Sequence, residues 1–191
     1  MTLLKIATIG EPILRVPARE LAVAELQSVR WQTFIDDLIE TMRDADGAGL
    51  AAPQVFEGVR VAAIEVRGDN PRYPYKPPIP LTVVVNPHIT ALSDEQFDNY
   101  EGCLSVPDLR GLVKRHARIR VQYLERSGAA HDVQMSGVSA GTFQHECDHL
   151  DGKIFVDRAD PTTFSTWKNW ERHHKAPFVA HITEVVKKYG M

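Results

Sequence analysis

Residues 144–152 read QHECDHLDG, placing His145 and His149 four apart with Glu146 beside the first. On an α-helix of about 3.6 residues per turn, the two imidazoles differ by only about 40° and face one point. Such a pair can hold a metal ion, provided that the fold brings a further ligand to the same point. The competing reading is an exposed polar helix. The helix is predicted from about Val138 to Leu150, with Gly152 just beyond it as a C-terminal stop. Cys147 lies on roughly the opposite side and reads as a buried, passive thiol. Glu146 and Asp148 flank the ligand direction, and geometry alone does not choose between them as proton acceptor. The H-E-x-x-H pattern puts the base at Glu146.

Candidates for the third ligand are few. One protease pattern extends to H-E-x-x-H-x-x-G-x-x-H; the chain matches through Gly152 but carries Phe155 where the last histidine belongs. A second protease pattern uses a glutamate one helix downstream, and Glu171 is the candidate at that distance. The alternative is Cys103, in EGCLS, where a thiolate could approach across the fold. A Cys/His/His set leaves one coordination position open, which suits catalysis better than a structural site. Cys103 and Cys147 could form a disulfide on count alone, but a reducing compartment argues against it.

The rest of the chain reads as α+β. Ile35, Leu38, Ile39 and Met42 form the apolar stripe of an amphipathic helix within 25–46. It ends in DGAGLAAPQV, where Gly47 and Gly49 permit positive φ and close backbone approach. Strands are expected at 59–66 and at 81–87, the second stopped by Asn86-Pro87. Residues 67–80 hold five prolines and read as a surface loop. Residues 99–111 read as irregular. Ile119, Val121 and Tyr123 alternate with polar residues in a half-buried strand over 117–124, with a hairpin partner at 131–135. The expected architecture is small mixed or antiparallel sheets packed around a central metal-binding helix. Residues 1–160 would form the catalytic body and 161–191 a helical extension of the same domain. On that extension Phe178, Ile182, Val185, Val186 and Tyr189 share one face, read as core or docking surface, and His173 and His174 read as surface residues.

Length and charge narrow the partners. A chain of 191 residues suits one domain. A net charge of −3 provides no overall basic field for DNA. No run approaches the roughly 18 apolar residues of a membrane span. The N-terminal segment MTLLKIATIGEPILR lacks a signal-peptide or import-leader layout, so the expected location is the cytoplasm.

Three segments, GAGLAAPQ (47–54), EGCLS (101–105) and QHECDHLDG, resemble in order the three motifs of the peptide deformylase family, GxGLAAxQ, EGCLS and QHExDHLxG. GEPILR near the start and IFVDR after the third motif add weaker agreement, and the resemblance covers about residues 3–158. It implies a bacterial cytoplasmic hydrolase that removes the N-formyl group from the initiator methionine of nascent polypeptides. It implies a divalent ion held by Cys103, His145 and His149, typically ferrous iron, with zinc, nickel or cobalt able to replace it. It makes Glu146 the proton shuttle, and the Gln54 amide and Leu104 N–H the oxyanion donors.

Further roles follow from the same resemblance. Ala48 and Gly102, with Gly47 and Gly49 giving space, would pair with the peptide main chain, and Val138, Thr142 and Arg110 would shape the methionine pocket. Gly141, Thr142 and Ala48 are smaller than the residues common at these positions, so the pocket's shape does not carry over. Glu101, Arg115 and Asp148 would orient the imidazoles. Basic residues of the tail could touch the ribosome near the exit tunnel.

Overall fold

The computed structural model describes residues 2–70, 72 and 75–190. Its elements in chain order are α1 (Val23–Leu26), α2 (Val29–Asp44), β1 (Gly49–Ala51), β2 (Val61–Val66), β3 (Ile79–Ala91), β4 (Gln96–Cys103) and β5 (Val106–His116). There follow β6 (Arg118–Leu124), β7 (Ala130–Ser136), α3 (Gly137–Leu150), β8 (Ser165–Thr166), α4 (Trp167–His173) and α5 (Lys175–Tyr189). Short 3₁₀ turns punctuate them, one of which spans Ala52–Val55. Of the loop expected over 67–80, positions 71, 73 and 74 lie outside the described residues.

The strands form two antiparallel sheets, ordered β1-β2-β3-β6-β7 and β4-β5-β8. Strand β2 is a nearly continuous apolar run because both faces of its sheet are covered. Val61 and Ala63 point to Leu38 and Met42 of α2. Ala62 and Ile64 point the other way, to Ala140 and Phe143 of α3. The predicted stripe on α2 is buried throughout.

Helix α3 lies between the two sheets and is buried on every side except partly at His145, so the exposed-helix reading fails. It ends as expected. Gly152 takes φ +71°, its N–H donates to the His149 carbonyl at 3.2 Å, and Lys153 N–H reaches the Asp148 carbonyl at 2.9 Å. A side chain at Gly152 would also strike the backbone of Arg15.

Two expectations need correction. Asn86-Pro87 does not stop the second strand: β3 continues to Ala91 through a bulge, with Asn86 at φ +50°. The strand tolerates this because the Asn86 side chain accepts from Leu21 N–H and donates to the Leu21 carbonyl, both at 2.9 Å. Residues 99–111 are not irregular either. They form most of the β4–β5 hairpin, with Cys103 paired to Val106 across its tip. The inward positions of β4 are Phe97, Asn99, Glu101 and Cys103, and two polar residues among four erase the apolar alternation that marks a strand.

The C-terminal helices pack into the body. Trp170, Phe178, Ile182 and Val185 are buried with Phe97, Ala117 and Val138, with Val186 and Tyr189 against them. The apolar face of the tail is therefore core, while His173 and His174 are exposed.

Candidate metal centre

Helix α3 and the hairpin tip meet at three side chains. His145 and His149 stand one turn apart, with ring centroids separated by 5.1 Å. Cys103 Sγ lies 3.2 Å from His149 Nε2. One donor atom from each of Cys103, His145 and His149 falls within 4.8 Å of the others. Glu171, the competing third ligand, is exposed on α4 and pairs with Lys175 at 3.2 Å. Phe155 is buried, its ring stacked 6.5 Å from that of His145. Both cysteines are free thiols.

A network behind the ligands fixes them. Glu101 Oε2 accepts from His145 Nδ1 at 2.8 Å, which leaves Nε2 for an ion. Arg115, buried at 2% exposure, holds Glu101 with two bonds of 2.7 and 2.8 Å and reaches Asp148 at 2.6 Å. Arg158 then closes on Asp148 with bonds of 2.7 and 2.6 Å. The two carboxylates therefore face two guanidinium groups, which offsets much of their desolvation cost. Sequence reasoning assigns Arg158 no role, although it ends the IFVDR segment that could have pointed to it. Asn99, also unforeseen, donates to Glu101 at 3.0 Å.

The electrostatics suit a cation. Burial alone would raise the Cys103 thiol, but His149 and then His145 outweigh it and hold Cys103 well below its usual range. Burial alone would lower His145, yet Cys103 and Glu101 hold it well above its usual range. Burial likewise works against Glu101, and Arg115 keeps that carboxyl well below the ordinary glutamate value. Burial raises Glu146. Cys147, which faces away, is pushed far up by burial.

Residues distant in sequence complete the site. Gln54, on the 3₁₀ turn after β1, donates to Ser105 Oγ at 3.0 Å and approaches Cys103 Sγ at 3.4 Å. Its Oε1 is fixed by Ala51 N–H at 2.9 Å. Glu146 is buried, and its Oε2 has no hydrogen-bond partner among the described residues. A small cavity of about 30 Å³ opens beside these groups, room for a water or two. All the proposed peptide-contacting residues line it except Arg110 and Val138. Val138 is packed in the core. Arg110 is buried between the indoles of Trp167 and Trp170, at 4.0 and 4.3 Å from the ring centroids. The carbonyl of Ala48 already accepts from Glu65 N–H at 3.1 Å. Neither Gly47 nor Gly49 takes a positive φ; both supply closeness only.

Comparison with known proteins gives one family throughout. A family model for polypeptide deformylase matches residues 3–165. A peptide deformylase of Leptospira biflexa is 42% identical over 162 residues, covering 85% of this chain and 90% of the relative. The crystal structure of a Met-Ala-Ser-bound class I type b peptide deformylase from Acinetobacter baumannii superposes with a TM-score of 0.78. It is 41% identical and covers 82% of this chain and 98% of that one. A peptide deformylase from Legionella pneumophila, 30% identical with a TM-score of 0.72, covers 98% of this chain and 95% of its own.

Proposed function

The chain belongs to the polypeptide deformylase family and is a metal-dependent hydrolase that removes the N-formyl group from the initiator N-formylmethionine of newly made polypeptides, releasing formate; on that premise we propose how its residues divide the work. Cys103, His145 and His149 hold one divalent ion. The donor set fits: a thiol held toward thiolate, and an imidazole with its far nitrogen bonded to a carboxylate. When bound, the ion lowers the pKa of water toward neutrality and polarises a carbonyl. We assign ferrous iron as the native ion, on the strength of the family motifs.

Glu146 takes a proton from the attacking water and delivers it to the leaving amine. Its burial raises its basicity, and its unpartnered oxygen keeps it available. The Gln54 amide, fixed by Ala51, and the Leu104 N–H donate to the tetrahedral oxyanion. The peptide lies extended along Gly47, Ala48, Gly49 and Gly102. Thr142 lines the side-chain pocket, with Arg110 and Val138 supporting it from behind. Glu101, Arg115 and Asp148 orient His145 and its helix.

We further propose that residues 1–160 are the catalytic body and 161–191 an extension of the same domain. The proposed setting is the bacterial cytoplasm, with contact to the ribosome near the exit tunnel through tail residues such as Lys187 and Lys188. Among the described residues no helix is long and apolar enough to cross a membrane. Charge reversal at those two lysines that leaves ribosome association unchanged would remove the ribosome contact.

The observation that carries the reading is the convergence of three donor atoms within 4.8 Å beside an unpartnered buried carboxylate. The test is formate release from formyl-Met-Ala-Ser by iron-loaded protein without oxygen. Full ion loading with no formate would overturn it.

A further inference from the structure

The connection between β2 and β3 plays no part in the roles assigned above, yet its described residues reach the cavity. Tyr75 packs edge-on to Phe178 at 5.4 Å between centroids and lies 6.4 Å from the ring of Trp170. Its hydroxyl accepts from Arg110 at 3.4 Å. These partners come from β5, α4 and α5, so Tyr75 is an anchor. The next residue, Lys76, is thereby held at the cavity wall, where its Nζ donates to Thr142 Oγ1 at 3.1 Å. The Thr142 hydroxyl in turn donates back to the Val138 carbonyl at 3.2 Å, leaving its oxygen to accept.

The wall thus assembled is unusual for an apolar ligand. A pocket for a hydrocarbon chain is lined mainly by aliphatic and aromatic side chains. Here Lys76, Asn99 and Thr142 face the cavity, and Gly141 packs closely against Phe97 and Asn99. Burial pushes Lys76 down to about 8, with Glu101 opposing. An ammonium carries donors only and accepts nothing. A hydrocarbon tip would desolvate it and return nothing, whereas an acceptor would replace the lost water.

We propose that Lys76 and Thr142 are specificity-determining residues that make the first side-chain pocket prefer chains ending in a hydrogen-bond acceptor over hydrocarbon chains of equal length. A sulfoxide and a carboxamide are strong members of that class, and the methionine thioether is a weak one. The proposal rests on the deformylase activity above and deepens it.

The test compares formyl peptides beginning with methionine sulfoxide, methionine and norleucine, each followed by Ala-Ser, on metal-loaded wild type and on Lys76→Met, Lys76→Arg and Thr142→Val. Calorimetric binding of the corresponding deformylated peptides runs beside it. The wild type is expected to favour sulfoxide over norleucine by about tenfold or more in kcat/KM. Lys76→Met should abolish or invert that ratio while raising the norleucine peptide; Lys76→Arg should keep the ratio, and Thr142→Val should reduce it. An equal loss on all three peptides in Lys76→Met, or no discrimination by the wild type, overturns the proposal. Formate released from none of them would overturn the activity, while the binding preference would still decide the pocket.

Discussion

The carboxylate of Glu146 occupies the space in which a side chain on Gly49 would stand. Oε1 and the carboxyl carbon both overlap an ideal Cβ there, and α3 cannot retreat because it is packed between two sheets. Gly49→Ala is therefore expected to displace Glu146 while leaving the ligands in place. We expect kcat/KM to fall by about 100-fold or more with ion content unchanged. Elemental analysis beside formate assays reads this; a Gly49→Ala enzyme of full activity would dissociate Gly49 from the position of the base.

Gln54→Leu removes an oriented donor and keeps the volume. The expected loss is about 3 kcal/mol of transition-state stabilisation, in kcat more than KM. Ser105 loses a partner, so circular dichroism should confirm the fold. Unaltered kcat would mean that Gln54 serves only to hold Ser105 and Cys103.

Cys103→Ala should lose the ion, whereas Glu171→Ala should keep it. Glu171 is paired to Lys175 on the surface, and Cys103 touches His149. Metal content of the two purified variants decides the point, and the reverse pattern would restore the endopeptidase-type ligand set.

Arg115→Met leaves Glu101 and Asp148 buried with less positive charge, though Arg158 still holds Asp148. Breaking such a pair costs about 3–5 kcal/mol. Metal affinity should also drop by about 10–100-fold as His145 loses its orientation. Denaturation of the apo form and competition with a chelator measure the two effects separately.

Arg43 joins α2 to β2 through Glu65, with bonds of 2.7 and 2.9 Å. The hydrogen bonds from Arg43 lower the Glu65 carboxyl. Its stabilisation is therefore present above the ordinary glutamate range and lost as pH falls through the lowered value. The pair is partly exposed, so its worth is about 1 kcal/mol. Wild type and Arg43→Met should differ in urea stability at pH 7 and converge as pH falls below the lowered Glu65 value; a constant difference would assign the effect to packing.

Local patterns carried much of the architecture. The stripe of α2 and the alternation of β6 follow directly from where apolar residues recur, because a half-buried element needs one apolar face. The β4–β5 hairpin was illegible for the converse reason. Its inward face sets Asn99 and Glu101 between Phe97 and Cys103, and the burial of Glu101 depends on Arg115 across the hairpin and on His145 far along the chain.

By itself the sequence determined a helix with two imidazoles on one face, carboxylates beside them and, through three ordered motifs, the family. Only the tertiary structure decided that Arg115 is a buried bridge between two carboxylates, that the tail's apolar face is core, and that Lys76 sits at the cavity wall. The reason is range. Helical spacing acts within a few residues, whereas Cys103 and His149 are 46 apart and Lys76 and Thr142 are 66 apart. Such pairs exist only once hairpin register and helix packing are set, and no local period encodes them.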